Sequence, residues 1–252
     1  MAESSAVPPE SAVWIRALAA HPEQMADLIE TLHRRAVTTE ALLELLSRIC
    51  HEAVRLLDGV HYASITAQCD RQPVTLACTD SRVAVVEKCQ YAAGAGAGAG
   101  LRAMSTGQVA AMDLRQVRRS WPQLAHTAHR AGVRWVLAVP LLIAGRPVAA
   151  LNLYSSCGSV PPPDPDFLTV LTEYAARGLD DFRFQATPVT TQSLRAAIDE
   201  QILVHQAIGI LMQVYGFNAD YARDVLTDQA QDWHRGLPEH AAYIINTHTR
   251  PH

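Results

Sequence analysis

Between Glu40 and Leu57 the apolar residues Leu42, Leu45, Leu46, Ile49, Ala53 and Leu56 fall three or four positions apart, which places them on one stripe of a helix. The same period returns from Asp166 to Phe184 through Phe167, Val170, Leu171, Tyr174 and Leu179. Between these helices the pattern becomes that of strands. Val60 to Ala67 follows the turn pair Asp58-Gly59 and alternates, and Pro73 to Ala77 returns against it across a Cys69-Asp70-Arg71-Gln72 turn. A stronger hairpin joins the apolar runs Val133 to Ile143 and Val148 to Tyr154 through Ala144-Gly145-Arg146-Pro147; runs this apolar predict strands central in a sheet. Residues 82 to 91 read as helix. The pattern predicts an α+β fold, an antiparallel sheet flanked by helices.

Both ends of the chain carry helical signals of their own. Trp14, Leu18, Met25, Leu28, Ile29 and Leu32 mark an amphipathic pair broken near His21-Pro22. Its apolar face either pairs with a second copy or covers the chain's own sheet. Near the other end, Leu194, Ile198 and Ile202 lead into a run from Ala207 to Asn218 that meets a glycine stop at Gly216 and a fresh start. Ala222, Val225, Leu226 and Gln229 form a second helical face, and Pro238 opens a third helix carrying Ala241, Ile244 and Ile245. The expected organisation is an N-terminal helical segment (1–36), a sheet-containing domain (37–186) and a C-terminal three-helix module (187–252). The helix from Asp166 continues towards Pro188 and another resumes from about Thr190, so an event in the first domain would change how two copies of the last are juxtaposed.

Composition narrows the class. The chain has 252 residues, nearly half of them hydrophobic, and a formal net charge of −4, as expected of a folded domain with a sizeable core and a smaller companion. The start Met1-Ala2-Glu3-Ser4-Ser5 lacks the cationic region of a signal peptide, and the apolar run Val136 to Ala144 is interrupted by Pro140. A cytoplasmic protein without a membrane contact is expected. The five cysteines have no CxxC spacing, which argues against a disulfide framework or zinc. Lys88 is the single lysine.

Candidate chemistry is sparse. No G-x-S-x-G, H-E-x-x-H or paired-carboxylate motif is present, so no enzyme and no cofactor are expected. The run Gly94 to Gly100 lacks both the dinucleotide spacing and the lysine of a phosphate loop, and reads as a flexible surface loop. His126 and His129 can share a helix side as metal or haem ligands, or simply be solvated. Cys78 and Cys89 are either oxidant sensors or core packing.

The string Ala207-Ile208-Gly209-Ile210-Leu211-Met212-Gln213-Val214-Tyr215-Gly216, with Ala219 to Ala222 and Leu237 to Ala241, resembles the ANTAR domain, an RNA-binding output module of transcription antitermination regulators. The resemblance covers roughly residues 190 to 248. It implies binding of RNA tandem hairpins, with Arg195, His205, Gln206, Gly209, Gln213 and Tyr215 as candidate contacts: the glycine permits close approach and Tyr215 a stack on an unpaired base. A packing reading of the same helix makes Ala207 and Gly209 helix contacts and Tyr215 a core edge. Where the family usually has lysine and arginine this chain has Ile208 and Val214, which removes charge from the surface expected to meet phosphate. From Thr190 to His252 four arginines stand against seven carboxylates, a balance of −3.

Residues 37 to 186 resemble a GAF domain, a sensory fold found ahead of ANTAR modules. The resemblance rests on Asp58 to Thr66, Gln90-Tyr91, Thr106-Gly107, Trp121-Pro122, Val139-Pro140-Leu141 and Ala150 to Ser155, in family order. Relatives carry a glycine-acidic-glycine-proline-cysteine loop after the tyrosine. Here Ala92 to Gly100 is nearly pure alanine and glycine, implying a pocket either altered or unused. Together the resemblances imply a signal-responsive homodimeric antiterminator. Two alternatives stand beside it, a protein-interaction module without RNA binding and a small-molecule sensor.

Overall fold

Both hairpins form, and a fifth strand closes the sheet. The computed structural model describes residues 9–32, 38–69, 72–92, 98–157, 162–185 and 190–248; residues 70–71, 94–97 and 188, on which some of the turn and loop expectations fall, lie outside them. Strands β1 (Tyr62–Cys69) and β2 (Gln72–Cys78) pair antiparallel, as do β4 (Trp135–Ile143) and β5 (Arg146–Ser155), while the short β3 (Ala110–Asp113) pairs with β4. The order is β2-β1-β5-β4-β3. The second hairpin is tighter than its sequence predicts. Ala144 and Gly145 take positive φ of 48° and 74°, the hand that suits a two-residue hairpin turn, so Arg146 and Pro147 already belong to β5. Pro73 sits in β2, at the edge of the sheet.

Helices cover both faces of this sheet. On one side lie α3 (Thr39–Leu56) and α7 (Pro165–Gln185); on the other lie α4 (Ser81–Ala92), α5 (Ala99–Thr106) and α6 (Pro122–Arg130). Thr38 caps α3 by accepting from the Ala41 N–H. The first face is dry, with Leu42, Leu46, Ile49, Ile65, Leu151, Leu153, Val170 and Leu171 all inaccessible or nearly so. α7 approaches α3 at Gly178, where a Cβ would lie 2.6 Å from Cδ2 of Leu45. Among the described residues the N-terminal helices α1 (Pro9–Ala20) and α2 (Pro22–Leu32) lie mainly against α7 and α3 rather than on the sheet. Trp14 Nε1 donates to Glu173 at 2.6 Å, its ring meets Tyr174 edge-on, and Met25, Leu28 and Leu32 are buried. Ile15 and Leu18 stay exposed.

The chain separates into two units, Met1–Ala186 and Thr187–His252. The second consists of α8 (Thr190–Tyr215), α9 (Ala219–Asp232) and α10 (Leu237–His248) around Val204, Ala207, Ile208, Leu211, Ala222, Leu226, Ala241 and Ile244. Gly216, at φ +71°, ends α8 and donates to Met212. Asn218 then caps α9 by accepting from the Tyr221 N–H at 2.8 Å. No helix among the described residues is long and apolar enough to cross a membrane.

Candidate functional site

Alternation along the strands delivers a set of polar side chains to one face of the sheet. Ser64 pairs with Asn152, Thr66 with Ala150 and with Thr75, and Tyr62 with Tyr154, so Ser64, Thr66, Thr75, Asn152 and Tyr154 point to the side covered by α4 and α5. Glu87 of α4, 2% exposed, meets them. Its Oε1 accepts from Ser64 Oγ and Tyr154 OH, each at 2.5 Å, and from Asn152 Nδ2 at 2.9 Å. Its Oε2 accepts from Thr66 at 2.5 Å, Thr75 at 2.8 Å and the Tyr91 hydroxyl. Three uncharged donors per oxygen replace the water that the carboxyl lost on burial. Burial and the neighbouring Glu87 push the Tyr91 and Tyr154 hydroxyls well above the ordinary tyrosine range, so both remain donors.

The start of α5 closes over this network. Gly98, expected in a flexible surface loop, is the N-cap of α5, and Ala99 and Gly100 are buried in its first turn. The side chains beneath leave no room for a methyl: a Cβ on Gly98 would lie 2.1 Å from Gln90 Oε1, and one on Gly100 2.6 Å from Asn152 Oδ1. Two atoms of this contact, Gln90 Nε2 and Asn152 Oδ1, are buried without a hydrogen-bond partner among the described residues. The remaining candidates in this unit are quieter. His126 and His129 are exposed on α6, and no cluster of three His, Cys, Asp or Glu side chains fit to hold a metal occurs among the described residues. Burial, then Glu87, pushes the Cys78 thiol up to about 11, which disfavours the thiolate an oxidant sensor needs. Cys89 Sγ contacts Thr127 Oγ1 at 3.3 Å.

In the second unit the candidate contacts divide. Gln206, Gly209 and Gln213 are exposed, and their spacing of three and four sets them on one outward stripe of α8. Among the described residues a Cβ on Gly209 would meet nothing within 4 Å, so there this glycine makes no helix-packing contact, whereas Ala207 is fully buried. Tyr215 lies on another side of the helix end. It is exposed, not a core edge, stacks on Phe217 at 5.4 Å and meets His248 edge-on. His205 is half-buried and the Arg195 side chain lies outside those described. Ile208, expected at a phosphate-facing position, is instead buried among Val204, Leu211, Leu226 and Ile244. Val214 is exposed.

A further group escapes sequence reasoning. Trp233 at the end of α9 and Tyr243 on α10 are 60% and 43% exposed, their rings 6.4 Å apart, and the guanidinium carbon of Arg235 lies 5.5 Å and 4.8 Å from the two ring centres. His240 stacks beside Tyr243, its Nε2 3.2 Å from Gln229 Oε1 and its Nδ1 unpartnered among the described residues. Burial, then Arg235, holds the His240 imidazole below the usual histidine range. A tryptophan two residues before an arginine is a faint signal in a sequence; only the fold of α10 brings Tyr243 to it.

Comparison with known families places a GAF domain at residues 39–180 and an ANTAR domain at residues 192–245. Both are regulatory domains, not catalytic ones, and the second is an RNA-binding domain. No curated protein matches the chain. Similar solved structures include the GAF domain of an Acinetobacter phosphoenolpyruvate-protein phosphotransferase, 8% identical, spanning 67% of this chain and 98% of that one at a TM-score of 0.48. A type II free methionine-R-sulfoxide reductase from Thermoplasma acidophilum is 11% identical over 57% of this chain and 95% of that one, TM-score 0.43. Escherichia coli SdiA is 14% identical over 88% and 94%, TM-score 0.44.

Proposed function

We propose, for a chain that belongs to the GAF domain family and continues into an ANTAR domain, a signal-responsive cytosolic regulator that binds RNA hairpins through residues 187–252 and thereby promotes transcription antitermination. The proposed organisation keeps 1–36 as a helical segment and 37–186 as the sensory domain, and the working form is a homodimer. The RNA contact is assigned to Arg195, His205, Gln206, Gly209, Gln213 and Tyr215. The observation that carries this reading is the outward stripe of α8: Gln206 and Gln213 flank Gly209, beside which a nucleic-acid backbone can come close without meeting a side chain.

A second reading, contact with a protein partner in place of RNA, is favoured by the charge of this unit, four arginines against seven carboxylates from Thr190 to His252. Such a balance supplies little counterion release. One titration separates the two. The purified chain is mixed with a tandem-hairpin RNA bearing unpaired apical loops, at several salt concentrations. Loop-dependent binding that weakens as salt rises supports the RNA reading; no binding at low salt overturns it and leaves protein partnership.

A further inference from the structure

The α9–α10 corner presents a preformed surface that neither α8 nor its exit includes. Trp233 and Tyr243 are the two large exposed rings there, inclined at 31° with their centres 6.4 Å apart, and Arg235 lies over both. The backbone at the arginine is fixed. Its backbone N–H donates to Ala230 O at 2.9 Å, closing the end of α9, and its residue is half-buried. Two exposed aromatic rings side by side with a cation over both have the composition of an interaction surface. A partner with a flat π-face for the rings and a negative group for the guanidinium fits this surface.

We propose that Trp233, Arg235 and Tyr243 form a nucleotide-binding site for one unpaired base and its phosphate in the apical loop of an RNA hairpin, in addition to the α8 contact. The assignment rests on the RNA-binding reading above and deepens it. A base stacks on Trp233 or Tyr243, which accept any base by its π-face, while Arg235 pairs with the adjoining phosphate and stacks on the rings. From Thr190 to His252 four arginines stand against seven carboxylates, so attraction to phosphate is weak and stacking supplies much of the affinity. Tryptophan occurs in this unit only at position 233.

The test uses the full chain and two RNAs: a tandem hairpin with unpaired loop bases, and the same stems closed by flexible linkers without bases. Trp233→Ala is expected to weaken binding to the first RNA about tenfold or more and to leave the second unchanged. Trp233→Phe, which keeps a ring, is expected to bind close to the native chain. Arg235→Gln is expected to weaken binding and to lower the slope of log affinity against log salt by about 0.7. The native chain, which also carries Trp14, Trp121 and Trp135, is expected to lose fluorescence on adding the first RNA, and Trp233→Phe is expected to lose none, which assigns the change to Trp233. Equal helicity of all variants by circular dichroism shows that the fold is intact. If the native chain binds the loop RNA and Trp233→Ala binds it equally well, the site is wrong while the RNA reading stands. If the native chain binds neither RNA, both fall, and the corner is a protein contact.

Discussion

The hydroxyl of Tyr154 donates to Oε1 of Glu87 at 2.5 Å, so the carboxyl on α4 is joined to β5 in the middle of the sheet. Removing the carboxyl strands several buried hydroxyls at once. Glu87→Leu is expected to destabilise the first unit by on the order of 3 kcal/mol, and Glu87→Gln, which keeps an acceptor, by less. Urea unfolding followed by circular dichroism measures both; a Glu87→Leu chain as stable as the native one would show that the network contributes nothing.

Gly209→Ala pulls two properties apart. With none of the described residues near its Cβ, alanine is expected to stabilise α8 by about 0.5–1 kcal/mol, because glycine surrenders more backbone freedom in a helix. RNA binding should weaken in the same variant if the backbone comes close at that point. Thermal melts and RNA titration on one preparation decide it, and unchanged affinity removes Gly209 from the contact.

Restoring the basic positions should have opposite effects. Ile208→Lys places an ammonium in the core of the three-helix unit and is expected to destabilise it by on the order of 3 kcal/mol. Val214→Arg adds a cation on the exposed surface and should leave stability unchanged within about 0.5 kcal/mol. It should also steepen the salt dependence of RNA binding by about 0.7 in slope. Melting curves for both variants, with RNA titrations for the second, test this.

His240 gives the second unit a pH dependence of definite sign. Its folded pKa is depressed, so the unfolded chain takes the proton more readily. The associated stability is whole above the ordinary histidine value of about 6.5 and is lost as pH falls through the lower folded value. Arg235 is the neighbouring cation, and Gln229 the uncharged partner of Nε2. The melting temperature is expected to drop by a few degrees more between pH 7.5 and 5.5 for the native chain than for His240→Gln.

Periodicity made most of the fold legible. The stripe of Leu42 to Leu56, the two hairpins and the Gly216-Phe217-Asn218 break between α8 and α9 all follow from local rules that tertiary packing did not override. The strand β3 was hidden because four residues, Ala110 to Asp113, carry no period. Helix α5 was hidden because alanine and glycine read as a loop; what orders Gly98 and Gly100 is close packing on Gln90 and Asn152, side chains distant from it in sequence or on another element. The same limit applies to the sites. Ser64, Thr66 and Thr75 look like the wet side of a hairpin until α4 is laid over them. Ile208 looks like part of a surface motif until Leu226 and Ile244 are packed against it.

Pro73 has a bearing on how copies of the chain behave when they are crowded together. An outermost strand is a template on which a neighbour's strand can anneal, and crowding favours that error. A proline there withholds one donor from the template and fixes the local backbone angle. At that edge crowded copies are thereby discouraged from pairing strand to strand, while the opposite edge, β3, offers a template of only four residues.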